Sequence, residues 1–169
     1  MEKMNNEIQT LAAEVGAALL REKITLSTAE SCTGGGLAAA ITAIPGSSGY
    51  FKGAVVSYTN EVKHRLLGVQ LATLENYGAV SRQTVIEMAC GVMKMIQTDI
   101  AIATSGVAGP SGGTPDTPVG VIWIAVAYKN EIFTFKQEGD LGRDKNVRCA
   151  IKNGLKILLE QLEKQKKCI

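Results

Sequence analysis

The chain has 169 residues, of which 46% are hydrophobic and 20% charged, with aromatics at only 5%. That is the balance of a single globular domain with an aliphatic core, and it excludes a disordered or low-complexity chain. The formal net charge of +2, without a basic run interleaved with aromatics, argues against a nucleic-acid binder, and no apolar run reaches membrane-spanning length.

Ile8, Leu11, Ala12, Val15, Ala18 and Leu19 recur at helical spacing and predict a first amphipathic helix. Glu14 and Arg21 interrupt it, so it lacks signal-peptide form, and the cytoplasm is the expected location. "KITLSTA" reads as a strand, and Leu37 to Ile44 as a helix stopped by Pro45-Gly46. Phe51 to Tyr58 is the next strand. Asn60 is expected to cap a short helix that Gly68 ends. Ser81 is expected to cap a longer helix with Val85, Met88, Ala89, Val92 and Ile96 on its buried face. Asp99 to Ser105 is a strand, followed by a loop of glycine, proline, serine and threonine from Gly106 to Pro118. "VGVIWIAVAY" and "EIFTFKQ" form a hairpin around Lys129-Asn130. Val147, Ala150, Ile151, Leu155, Leu158 and Leu162 mark a last helix, whose end "EKQKK" reads as a solvated, dipole-matched terminus. Helices alternating with strands, and a late hairpin, predict one α/β domain over residues 1–169: a mixed sheet with helices on both faces. Its strand order is not readable from these residues.

The four cysteines, Cys32, Cys90, Cys149 and Cys168, are scattered and form no C-x-x-C pair, so no metal site is expected. The chemistry concentrates in "TAESCTGGG", Thr28 to Gly36, where a strand passes into a helix. A helix start offers unpaired N–H groups, and glycine lets a ligand approach them. The spacing fits neither a P-loop nor a dinucleotide fingerprint. Phosphate cradle, nucleophile and plain connection all remain open for it. Ser31, Cys32 and Thr33 are the candidate nucleophiles, and a serine needs a base. His64 is the chain's one histidine, and Lys63 is its neighbour. With Asn60 as cap, Lys63 stands at the third helical position, where the dipole disfavours an ammonium and burial lowers its pKa further. That favours Lys63. The Gly106 to Pro118 loop is long for a compact domain. Gly109, Gly112 and Gly113 can turn amides toward a phosphate, with hydroxyls from Ser105, Ser111 and Thr114.

"TAESCTGGGLAAAIT", "PGSSGYFKGAVVSYTNEVKHRLLGV", "GAVS" and "SGVAGPSGGTPDTPVG" resemble the CinA C-terminal domain family over about Thr25 to Val121. The resemblance implies a three-layer α/β/α sandwich. It also implies hydrolysis of the carboxamide of nicotinamide mononucleotide, a small pyridine nucleotide, with no cofactor. By motif it makes Ser31 the nucleophile, Lys63 its base and Tyr58 an assistant. Substrate contacts are expected from the glycine-rich segments at Thr33, Gly34, Gly35, Ser105, Gly109, Gly112 and Gly113, and the resemblance adds an arginine pair, Arg143 and Arg148. Thr117 stands where relatives often carry lysine, and the Arg143/Arg148 spacing varies. Many family members carry a larger N-terminal domain resembling molybdopterin-binding proteins, which is not expected in this chain. Neither a nucleic-acid nor a membrane partner is expected; helix faces can pair, which leaves a homo-oligomer open. Backbone N–H groups at the start of the helix after Ser31 are expected to hold the reaction's oxyanion. Glu30 is expected to bond backbone amides, and Cys32 and Tyr50 to pack. The alternative is a non-catalytic nucleotide-binding or regulatory module, tied to competence and DNA damage through the family's name.

Overall fold

The computed structural model describes residues 2–166. Cys168 and the Lys167 end of the basic cluster lie outside these residues. The helices are α1 (Glu2–Glu22), α2 (Gly36–Thr42), α3 (Asn60–Leu67), α4 (Leu71–Tyr77), α5 (Arg82–Ile96) and α6 (Arg143–Lys166). The strands are β1 (Leu26–Glu30), β2 (Phe51–Val56), β3 (Ile100–Gly106), β4 (Ile122–Tyr128) and β5 (Glu131–Gln137). They form one mixed sheet in the order β2-β1-β3-β4-β5, with β1 parallel to both its neighbours and β4 antiparallel to β3 and β5.

The strand side chains sort the layers. Ile100, Ile102, Ile122, Ile124 and Val126 face α1, α2 and α6, in a core closed by Leu19, Leu37, Ile41, Leu155 and Leu158. Ala101, Ala103, Ala125 and Ala127 face the other way, against Val85, Met88, Ala89 and Val92 of α5. Branched residues fill one interlayer gap, and alanines bring α5 close on the opposite side. Tyr50 packs in the first core as expected, its ring against Gly16, where a Cβ would lie 2.5 Å from the hydroxyl.

The chain runs from β1 to β2 on one side and then to β3 on the other. Such a reversal opens a crevice outside the carboxyl ends of the strands. Ser31 directly follows β1, Tyr58 stands two residues after the end of β2, and the glycine-rich loop leaves β3. The short helix α4, between α3 and α5, has no counterpart among the elements expected from the sequence.

Candidate active site

A hydrogen bond of 2.9 Å joins Lys63 Nζ to Ser31 Oγ. The same nitrogen donates to the Ser57 carbonyl at 2.8 Å. Lys63 is 1% exposed, and this burial lowers its pKa from the ordinary 10.5. The helix that carries it is capped by Thr59, whose Oγ1 accepts the Val62 N–H at 3.3 Å, not by Asn60 as the sequence suggests. Lys63 is therefore the fourth helical residue rather than the third, and dehydration is the main cause that depresses its pKa. His64 points elsewhere, its Nδ1 bonded to Val69 O at 2.7 Å.

The turn after β1 is organised by Glu30, which is fully buried. Its carboxylate accepts the N–H groups of Gly35 at 3.1 Å, Leu37 at 3.0 Å and Ala38 at 2.8 Å. It also accepts the hydroxyls of Thr33 and Thr28. Gly34 N–H goes to Ser31 O, and Gly36 N–H to Thr33 O. The start of α2 is therefore filled by an internal anion and has no amide to offer an oxyanion, contrary to the expectation from its glycines. No oxygen among the described residues accepts the N–H of Cys32 or Thr33, next to Ser31. Burial pushes the Cys32 thiol up to about 12, so it stays protonated and inert.

Ser31 and Cys32 open into a cleft of about 250 Å³, shared with Tyr58, Gly106 to Gly109, Ser111, Gly112 and Arg143. Arg143 Nη1 donates to Gly109 O at 2.7 Å and its Nη2 to the Tyr58 hydroxyl at 3.1 Å. Among the described residues the lining has a cation and no carboxylate, a surface suited to an anionic ligand.

A model of the CinA C-terminal domain matches residues 8–162. The chain belongs to that family. It is 48% identical over 132 residues to a nicotinamide-nucleotide amidohydrolase (PncC) of Enterobacter agglomerans, a match covering 78% of this chain and 80% of that protein. It is 56% identical over 127 residues to a CinA-like protein of Endomicrobium trichonymphae, covering 75% of this chain but only 30% of that longer relative. The crystal structure of the competence/damage inducible protein CihA from Agrobacterium tumefaciens superposes with a TM-score of 0.90 at 37% identity, over 93% of this chain and 96% of that one. The α/β fold with its mixed sheet is thus the family's.

The family motifs do not all converge on the cleft. Ser31, Lys63, Tyr58, Gly109, Gly112 and Arg143 come together. Arg148 does not. Five residues on a helix turn a side chain by roughly 140°, so the two arginines face different ways. Arg148 pairs with Asp144 at 2.9 Å and with Asn5, in a groove between α1, α2 and α6. Ser105 is buried on the α5 side of β3, donating to Ala79 O at 2.7 Å. The Cβ position of Gly113 lies 2.8 Å from Val119 N, in the turn by which the loop returns to β4. Of Thr33, Gly34 and Gly35, only the Thr33 N–H is unengaged, because the Thr33 hydroxyl is shared between Glu30 and Thr104. Two contributors had no sequence signal, the Ser57 carbonyl and the Cys32 amide, because backbone groups carry no residue identity. A third, Gly91, had one. A Cβ there would lie 1.9 Å from Leu67 O, so α5 can meet the end of the Lys63 helix only at a glycine.

Proposed function

We propose that this chain hydrolyses the carboxamide of nicotinamide mononucleotide to nicotinate mononucleotide and ammonia, with Ser31 as nucleophile and Lys63 as its base. The observation that carries the reading is the buried 2.9 Å contact between Lys63 Nζ and Ser31 Oγ. Burial lowers the Lys63 pKa and so favours the neutral amine that can accept the serine proton, for which a binding module would have no use. The 48% identical relative named nicotinamide-nucleotide amidohydrolase supports the substrate class.

In this mechanism the neutral amine of Lys63 takes the proton of Ser31 as Oγ bonds to the carboxamide carbon. The carbonyl oxygen becomes an oxyanion held by the N–H groups of Cys32 and Thr33. The C–N bond breaks, the leaving nitrogen takes the proton from Lys63, and ammonia departs. Water then attacks the acyl ester, passing a proton to Lys63, which returns it to Ser31. The Ser57 carbonyl aims the lysine throughout. Tyr58, steadied by Arg143, closes over the ring, and the glycine-rich loop takes the phosphate.

The test supplies nicotinamide mononucleotide and follows ammonia. The wild-type protein should release it, and Ser31→Ala should not. A wild-type protein silent beside a working control refutes the reading and leaves the non-catalytic nucleotide module.

A further inference from the structure

Asn146, in the first turn of α6, is fully buried, and every polar group it owns is engaged. Its Nδ2 donates to Ala108 O at 3.0 Å and to Asp140 Oδ1 at 2.9 Å. Its Oδ1 accepts the Leu141 N–H at 2.9 Å. Its backbone N–H goes to Gly142 O, and its carbonyl accepts from Nε2 of Gln137, whose Oε1 in turn accepts from Asn153 Nδ2. A buried amide satisfied on all sides is fixed in place.

Most of these bonds fold residues 140–142 into the start of α6. The bond to Ala108 O does something different, because it crosses to the loop that lines the cleft. Arg143, one turn away, holds the next carbonyl, Gly109 O. A trans peptide is planar, with its N–H opposite its C=O. Fixing Ala108 O toward α6 therefore turns the Gly109 N–H away from α6. No oxygen among the described residues accepts that N–H, and Gly109 lines the cleft. Gly109 has φ +89°, which a side chain would resist.

We propose that Asn146 is a positioning residue for substrate binding: by holding Ala108 O it presents the Gly109 N–H to the phosphate of the bound nucleotide. Asn146 itself touches no substrate. The proposal deepens the amidase reading and rests on it for the identity of the ligand.

N146D removes both side-chain donors but sets two carboxylates against each other. The informative variant is the exchange D140N/N146D. It restores the 140–146 hydrogen bond with donor and acceptor swapped and keeps an acceptor for Leu141, while the Gly142 N–H is left to the amide oxygen introduced at position 140 and Ala108 O loses its donor and meets an acceptor instead. Binding is titrated with nicotinate mononucleotide, the unreactive product, and with nicotinate riboside, which has no phosphate. In the folded double variant the mononucleotide Kd should rise about tenfold, the scale of one charge-assisted hydrogen bond, while the riboside Kd stays at the wild-type value. Equal mononucleotide affinity in variant and wild type overturns the proposal. So does an equal loss for the riboside, or a wild-type protein that does not bind the mononucleotide. A wild-type protein that binds the mononucleotide yet releases no ammonia refutes the amidase reading while the affinity comparison still decides the role of Asn146.

Discussion

Two glycine-rich segments meet at the cleft, and they use opposite halves of the peptide group. In the turn at residues 34–38 the N–H groups are engaged, three of them by Glu30. In the loop after β3 the carbonyls are engaged instead. Val107 O accepts from Gly120, Ala108 O from Asn146 and Gly109 O from Arg143. Composition is alike in the two segments, yet the first is a braced platform and the second, among the described residues, keeps the donors of Ala108, Gly109, Ser111, Gly112 and Gly113 open. A helix start binds a ligand anion only while its N–H groups are free, and here the chain supplies the anion itself. Glycine content therefore marks where backbone matters, and the hydrogen-bond partners decide what that backbone can do.

The largest effect expected from breaking the platform's chemistry comes from Lys63→Met. The thioether fills the same buried channel without an ionisable group. Turnover of nicotinamide mononucleotide should fall by about 10²–10⁴-fold, the contribution of a positioned base, while His64→Ala keeps most of it. The reverse ranking would move the base to His64. The pH profile adds a second reading. The folded pKa of Lys63 lies below the unfolded 10.5. Between those values the unfolded chain holds the extra proton, so stability rises with pH across that window. Over the same rise the base becomes neutral, and kcat/KM should climb to a plateau reached before pH 10.5. Lys63→Met should flatten the Lys63 part of the stability slope in a denaturation series.

Next in size is Glu30→Gln, which attacks the brace itself. The amide keeps one acceptor oxygen but turns an NH2 toward N–H donors that have lost their anion. Each buried donor left unsatisfied costs about 1–3 kcal/mol, so a loss of roughly 3 kcal/mol or more should be seen in the denaturant midpoint. Unchanged stability would mean that the turn is not held by its own carboxylate, and the contrast between the two segments would collapse.

The architecture was legible because periodicity is local. Ile8 to Leu19, Val85 to Val92 and Val147 to Leu162 repeat at helical spacing, and each stripe is a core face. Strand order was not legible, since it depends on pairings such as Leu26 with Ile100 that lie far apart in sequence. Within the site, the residues on "SYTNEVK" and "AESCTGG" converged because both segments leave neighbouring parallel strands at the same end. Arg148 failed to join them because a helix fixes direction by residue count. The cap on α3 slipped from Asn60 to Thr59 because either residue type can serve, and only backbone geometry chooses. Asn146 carried a faint signal. It lies four residues before Ala150, on the buried stripe extended by one turn, where a polar residue demands a partner.

The smallest expected effects come from placing the same methyl group in each segment. Gly34 has φ +59° and no atom within 4 Å of a Cβ placed there, so Gly34→Ala adds backbone strain and no clash. That strain is about 1–2 kcal/mol, a fall of several degrees in Tm for a domain of this size. The bonds to Glu30 should hold the turn in place, leaving KM and kcat close to wild type. Gly112, with φ +89°, has only Val107 at 3.8 Å and lies where the loop makes few internal bonds. A strained residue in a segment that can yield moves the segment rather than destabilising the domain. Gly112→Ala should therefore leave Tm nearly unchanged and raise KM. If instead Gly34→Ala raises KM and Gly112→Ala lowers Tm, the glycine-rich loop is the braced element and the turn after β1 is the yielding one.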